Sequence, residues 1–191
     1  NPGGTTTAQT VLTSLGINGS VSSSMPQNPI SIKQKIAMEV AKRTESKNQF
    51  DVVSNGGDPM IPTVAGILST ASYQTKVILA GGTQMAAVLA FSRITGYNKD
   101  NVALATTSYV TDDKSANLVE MIKQIDEIPI FSVRLALGNS KIDGLRSFAK
   151  GFVKEGVGAG GATLAAMLKI GITADQLLEL TEKQYREIIS Q

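Results

Sequence analysis

The chain has 191 residues, 42% hydrophobic and 18% charged, and its 18 basic and 16 acidic residues leave a formal net charge of +2. That size predicts one domain over residues 1–191 with a single core, and the scattered charge gives no basic stripe for a nucleic acid. With neither cysteine nor histidine, disulfides, thiolate nucleophiles, imidazole metal sites and Ser-His or Cys-His catalysis are excluded, so proton transfer falls to a carboxylate, lysine or tyrosine.

In chain order, Thr5 to Leu15 places Val11, Leu12 and Leu15 at helical spacing, with threonines set to cap the helix and Gly16 to stop it. Gly19 to Asn28 reads as a polar loop. A second helix follows from Pro29 with Ile32, Ile36 and Val40 on one face, and Lys33, Lys35, Lys42 and Arg43 off that line. After Asn55-Gly56-Gly57, Asp58 is a natural N-cap and Pro59 a first helical residue for an apolar helix to Ala71. Lys76 to Ala80 is a short buried strand, Gly81-Gly82-Thr83 a turn, and Gln84 to Thr95 an alanine-rich helix.

The same order repeats as a strand at Val102 to Ala105, a turn at Thr106-Thr107-Ser108, a helix near Lys114 to Ile125 and a third strand from Ile128 to about Ala136. Gly144 to Lys154 reads as helix or irregular chain, Gly156 to Gly161 as a loop, and Ala162 to Lys169 and Ala174 to Ser190 as closing helices. The fold expected is α/β, a parallel sheet flanked by helices in a Rossmann-like three-layer architecture. No apolar run reaches the roughly 20 residues a bilayer span needs, so a cytoplasmic protein without a membrane partner is expected. The opening NPGGTTTAQT starts inside a working loop, which suggests the C-terminal part of a longer chain.

Free backbone N–H groups at a helix start hold a phosphate well, and glycine lets the anion approach them. Three places have that form: Gly3-Gly4-Thr5-Thr6-Thr7, Gly81-Gly82-Thr83 and Thr106-Thr107-Ser108. Each alone also reads as an ordinary tight turn with threonine caps. The run Gly156-Val157-Gly158-Ala159-Gly160-Gly161 matches G-x-G-x-x-G, yet it does not fit a dinucleotide fingerprint. Two charges, Lys154 and Glu155, precede it where a hydrophobic strand belongs, and Asp175 falls near a helix start rather than at a strand end. What remains is a glycine cluster with a carboxylate at its entrance, either a binding loop with its own acid or base, or close backbone packing beside a solvated glutamate.

Taken in order, PGGTTTA (Pro2 to Ala8), NGGDPMIPTVAGILSTAS (Asn55 to Ser72), VILAGGTQMAAVLA (Val77 to Ala90) and VKEGVGAGGATLAA (Val153 to Ala166) resemble segments of the nicotinate-nucleotide:dimethylbenzimidazole phosphoribosyltransferases, and most closely their archaeal and cyanobacterial relatives of less certain function. The first is similar to that family's G-N-T-T phosphate loop and the last to its G-E-G-x-G-A segment. The resemblance implies that Glu155 is the general base, that Gly3 to Thr6, Gly81 to Thr83, Thr106, Thr107, Gly156 and Gly158 contact substrate or its phosphate, and that Lys35 stands near the site. Where the family's biosynthetic members carry a Ser-His pair and a D-G-F segment, this chain has Thr106-Thr107-Ser108 and Ala80-Gly81-Gly82.

The activity so implied is transfer of phosphoribose from nicotinate mononucleotide to a benzimidazole-type base, giving an α-ribazole phosphate for the lower ligand of a cobamide. It implies no metal or other cofactor, and a homodimer. A carboxylate base suits it, because nicotinate leaves a cationic pyridinium without acid help while the incoming ring nitrogen must shed a proton. The alternative is a nucleotide-binding or regulatory protein that kept the fold without the chemistry. Lys35 also reads as a solvated helix residue.

Overall fold

A computed structural model describes residues 4–44 and 48–190. Ten α-helices and three strands follow in chain order among these residues. Helix α1 (Gly4–Ser14) buries Ala8, Val11 and Leu12. It ends as a Schellman turn: Gly16 takes φ +77, and the Ile17 and Gly16 amides donate to the Leu12 and Thr13 carbonyls. The threonines do not cap it. Thr7 donates instead to the Gly4 carbonyl and to Asp58, and Thr10 to the Thr6 carbonyl.

Helix α2 (Ile30–Arg43) lies against α1, but not through the face its periodicity predicts. Ile32 is 61% exposed and Ile36 36%, while Ala37 and Lys33 are buried. The helix is turned by about one residue, or ~100°. Small Ala37 lets α1 and α2 approach, and Lys33 Nζ donates to the Ser22 carbonyl and to Asn28 Oδ1, both at 2.9 Å. Polar partners thus make burial of the lysine tolerable.

Helix α3 (Gln49–Gly56), absent from the sequence expectation, is capped by the Asn48 side chain and buries Val52 and Val53. Helix α4 (Met60–Ala71) starts one residue after Pro59, and Asp58 Oδ1 accepts from the Met60 amide as expected of a cap. Strand β1 (Val77–Ala80) leads into α5 (Gln84–Thr95), and β2 (Val102–Thr107) into the short α6 (Ser108–Thr111) and α7 (Leu118–Ile125). Strand β3 (Ile130–Val133) is shorter than the sequence suggests. Helix α8 (Asp143–Ala149), a π-helical turn at Val157–Ala162, α9 (Thr163–Ile170) and α10 (Ala174–Ile189) complete the order.

The strands form one parallel sheet in the order β1-β2-β3, with Leu79 opposite Leu104 and Leu104 opposite Ile130. This is an α/β fold with a parallel sheet flanked by helices, Rossmann-like in character. Leu79, Val102 and Leu104 join α1, α4, α5 and α7 in the core, centred on the fully apolar run Ala86 to Phe91. The opposite layer is thin. The π-helical turn and α9 pack over the sheet, leaving Ile78 41% and Phe131 46% exposed, so β1 is buried on one face only. No single described helix is long and apolar enough to cross a membrane.

Candidate functional site

Two strand ends and three helix starts meet at one edge of the sheet. Parallel strands send their carboxyl ends, and the helices after them their amino ends, to the same side, where α/β folds place ligands. A cleft of about 280 Å³ opens there. Gly4 and Thr5 of α1, Gly82 and Thr83 after β1, and Lys154, Glu155 and Gly156 before the π-helical turn all line it, and Ser22 to Ser24 form part of the remaining wall with Gln84, Val110 and Val157.

The residues singled out from the sequence divide accordingly. Gly4, Thr5, Gly82, Thr83, Glu155 and Gly156 come together at the cleft. Gly3 lies outside the described residues. Gly81 instead continues the sheet, its amide donating to the Ala105 carbonyl at 3.0 Å, and Thr6 is half-buried and does not line the cleft. Thr106 and Thr107 belong to the strand rather than to a turn, are wholly buried, and have hydroxyl oxygens without hydrogen-bond partners. The structure therefore does not place them as surface phosphate contacts. Lys35 is on the exposed side of α2 and does not reach the cleft; the lysine turned inward is Lys33, two positions earlier.

The glycine run is explained mostly by close approach. A Cβ on Gly160 would sit 2.6 Å from Thr106 Cα, one on Gly161 2.8 Å from Ala80 Cα, and one on Gly156 2.7 Å from Thr106 Oγ1. Only hydrogen side chains let the turn lie on the ends of β1 and β2. Gly158 differs, since its nearest neighbour would be Glu155 Oε1 at 3.4 Å.

Glu155 is held by the turn it precedes. Its Oε2 accepts from the Val157 amide at 2.7 Å and the Gly158 amide at 2.9 Å, and Oε1 accepts from the Ala159 amide. The carboxylate satisfies amides that have no partner within the turn. It has about four lone-pair sites, so one remains for another donor. Backbone strain precedes it: Val153 has φ 56, a conformation a β-branched residue holds at a cost of about 1–3 kcal/mol.

Beneath the cleft lies a charge cluster that sequence reasoning missed. Lys154 Nζ and Asp113 Oδ2 are 2.6 Å apart, with both side chains 8% exposed. Asp113 also accepts from Ser22 Oγ at 2.7 Å and from the Ser115 hydroxyl and amide. Burial pushes the Asp113 carboxyl up, but the bonds from Lys154, Ser115 and Ser22 outweigh it and hold its pKa at about 2. Lys33 is pushed down by burial, with Asp113 opposing that and Lys154 adding to it. The polar loop Gly19 to Asn28 is visible as composition, and Lys33 as a charge off the apolar line. Nothing local marked Asp113.

The π-helical turn has a second, apolar pocket of about 290 Å³, whose wall includes Leu135, Leu145, Phe148 and Leu177 together with Gly158 and Ala159. The same turn thus contributes residues to a polar cleft and to an apolar pocket. Among the described residues no three carboxylates converge as a metal site requires.

No protein-family model matches the chain. It is similar over 98% of its length to a UPF0284 protein of Archaeoglobus fulgidus, at 43% identity, and to one of Pyrococcus abyssi, at 40%. A UPF0284 protein of Methanosarcina mazei is 42% identical over 92% of the chain. The chain spans about half the length of these archaeal relatives, 52% to 56%. Their shared name states no activity.

Proposed function

We propose that the cleft binds a nucleoside monophosphate and that the full-length protein transfers phosphoribose from nicotinate mononucleotide to a benzimidazole-type base. The observation that carries this reading is the position of Glu155 on the same cleft as the α1 and α5 starts and Lys154. The phosphate sits against the amides of Gly4-Thr5 and Gly82-Thr83, where helix ends favour an anion. The bond between the pyridinium nitrogen and C1 of the ribose breaks, with its electron pair leaving on nicotinate. A ring nitrogen of the acceptor forms the new bond, and the proton it sheds goes to Glu155. The apolar pocket beyond the turn suits a flat aromatic acceptor. The same reading carries a homodimer, for which Leu180, Ile188 and Ile189 of α10, each at least half exposed, offer an apolar surface.

The test is turnover by the full-length protein given nicotinate mononucleotide and a panel of benzimidazoles. Replacing Glu155 by Gln should lower kcat by about 10²–10⁴, and unchanged turnover removes the role given to it. A second reading has its own support, since three amide bonds to Glu155 are what a purely structural cap would make. On that reading the protein binds nucleotide without chemistry, and calorimetry would show binding of nicotinate mononucleotide that Glu155→Gln leaves intact, with no product.

A further inference from the structure

Lys154 is gripped at both ends. Its amide donates to the Ser24 carbonyl at 3.1 Å, and its Nζ meets Asp113 Oδ2 at 2.6 Å. Asp113 is fixed in turn by Ser22 and Ser115. Ser22 ties this assembly to the α5 start through its amide bond to Thr83 Oγ1 at 3.0 Å, and to α2 through Lys33. The residue before Lys154 is the strained Val153, and the residue after it is Glu155. A left-handed β-branched residue persists only where its surroundings over-determine it. A buried ion pair is a poor source of net stability compared with apolar packing, whereas it can fix a geometry.

We propose that the Asp113–Lys154 pair is a positioning clamp for Glu155. By pulling Lys154 inward it keeps Val153 in the left-handed region, and that backbone course holds Glu155 on the cleft with its carboxylate aimed at the amides of Val157 to Ala159. When the clamp is released, Val153 relaxes, the following peptide rotates and the carboxylate leaves the turn. The geometric consequence is independent of the reaction; the catalytic consequence rests on the phosphoribosyl-transfer reading.

The experiment is amide hydrogen exchange on the full-length protein, alongside kinetics with nicotinate mononucleotide. In Asp113→Asn, the Val157, Gly158 and Ala159 amides should exchange at least about tenfold faster while the core amides of α5 keep their protection. Adding Val153→Gly, which makes the left-handed turn free of strain, should restore part of that protection. Equal protection in Asp113→Asn and wild type overturns the clamp, and exchange that Val153→Gly does not slow overturns strain as the force that opens it. If Asp113→Asn does not fold, Asp113→Asn/Lys154→Met removes both charges and must show the same fast exchange; normal protection there overturns the proposal. In the active protein kcat should fall about tenfold with KM for the nucleotide within about twofold, a split that general destabilisation would not produce. Fast exchange in a protein whose wild type shows no turnover leaves the clamp standing and removes only the transfer reading.

Discussion

The Ser22 amide donates to Thr83 Oγ1 at 3.0 Å, joining two buried residues 61 positions apart. The bond fastens the polar loop to the first turn of α5, so one wall of the cleft is held in place by the other. Thr83 Oγ1 thus accepts from the Ser22 amide and makes no cap bond to its own helix. Replacing Thr83 by Ala leaves a buried N–H unpaired and should cost about 1–3 kcal/mol, whereas Thr83→Ser should stay within about 1 kcal/mol of wild type. Urea denaturation midpoints of the two variants give the comparison.

Asp113 makes stability depend on acid. Its folded pKa of about 2 lies below the ordinary 3.8, so the unfolded chain takes up the proton first as the pH falls. The contribution, on the order of 2 kcal/mol, is complete above about pH 4 and lost between there and about pH 2. Asp113→Asn should flatten the stability profile across that window. Equal slopes for variant and wild type would assign acid sensitivity to other carboxylates.

Lys33 acts in the opposite sense. Burial first, then the nearby Lys154, lowers its pKa against the pull of Asp113, so the folded protein carries a charge penalty that disappears as the pH rises through the folded pKa towards 10.5. Stability should gain from this residue in the alkaline range, and the gain should vanish in Lys33→Met. That variant should also lose about 1–3 kcal/mol near neutrality because the Ser22 carbonyl and Asn28 lose a donor. Lys35→Ala, on the exposed side of α2, should shift stability by less than about 0.5 kcal/mol. Thermal melts of the two variants from neutral to alkaline pH distinguish the lysines.

The glycines of the 156–161 run should respond unequally to alanine. Gly160→Ala drives a methyl against the Thr106 backbone, at 2.6 Å from its Cα, and should cost more than about 2 kcal/mol. Gly158→Ala meets only the Glu155 carboxylate, nearest at Oε1 3.4 Å away, and should cost about 1 kcal/mol or less. Similar losses at both positions would show that the turn, rather than its packing on the strand, needs glycine.

What the sequence determined by itself was whatever short-range rules govern. The α5 boundaries, the stop at Gly16, the Asp58 cap and the strand-turn-helix order that forces a parallel sheet all follow from side-chain periodicity and backbone preference within a few residues. The convergence of Gly4, Gly82 and Glu155 was foreseeable from that order and the family resemblance together.

Only the tertiary structure decided the rest, because the energies involved come from partners distant in the chain. An apolar stripe on α2 promised Ile32 and Ile36 to the core, but the Ser22 carbonyl and Asn28 drew Lys33 inward instead. Thr106 and Thr107 looked like turn residues, yet pairing with β3 extended the strand through them. The Asp113–Lys154 pair spans 41 positions. A charge finds its counterion by where the fold brings the two together, and no periodicity within either segment records that meeting.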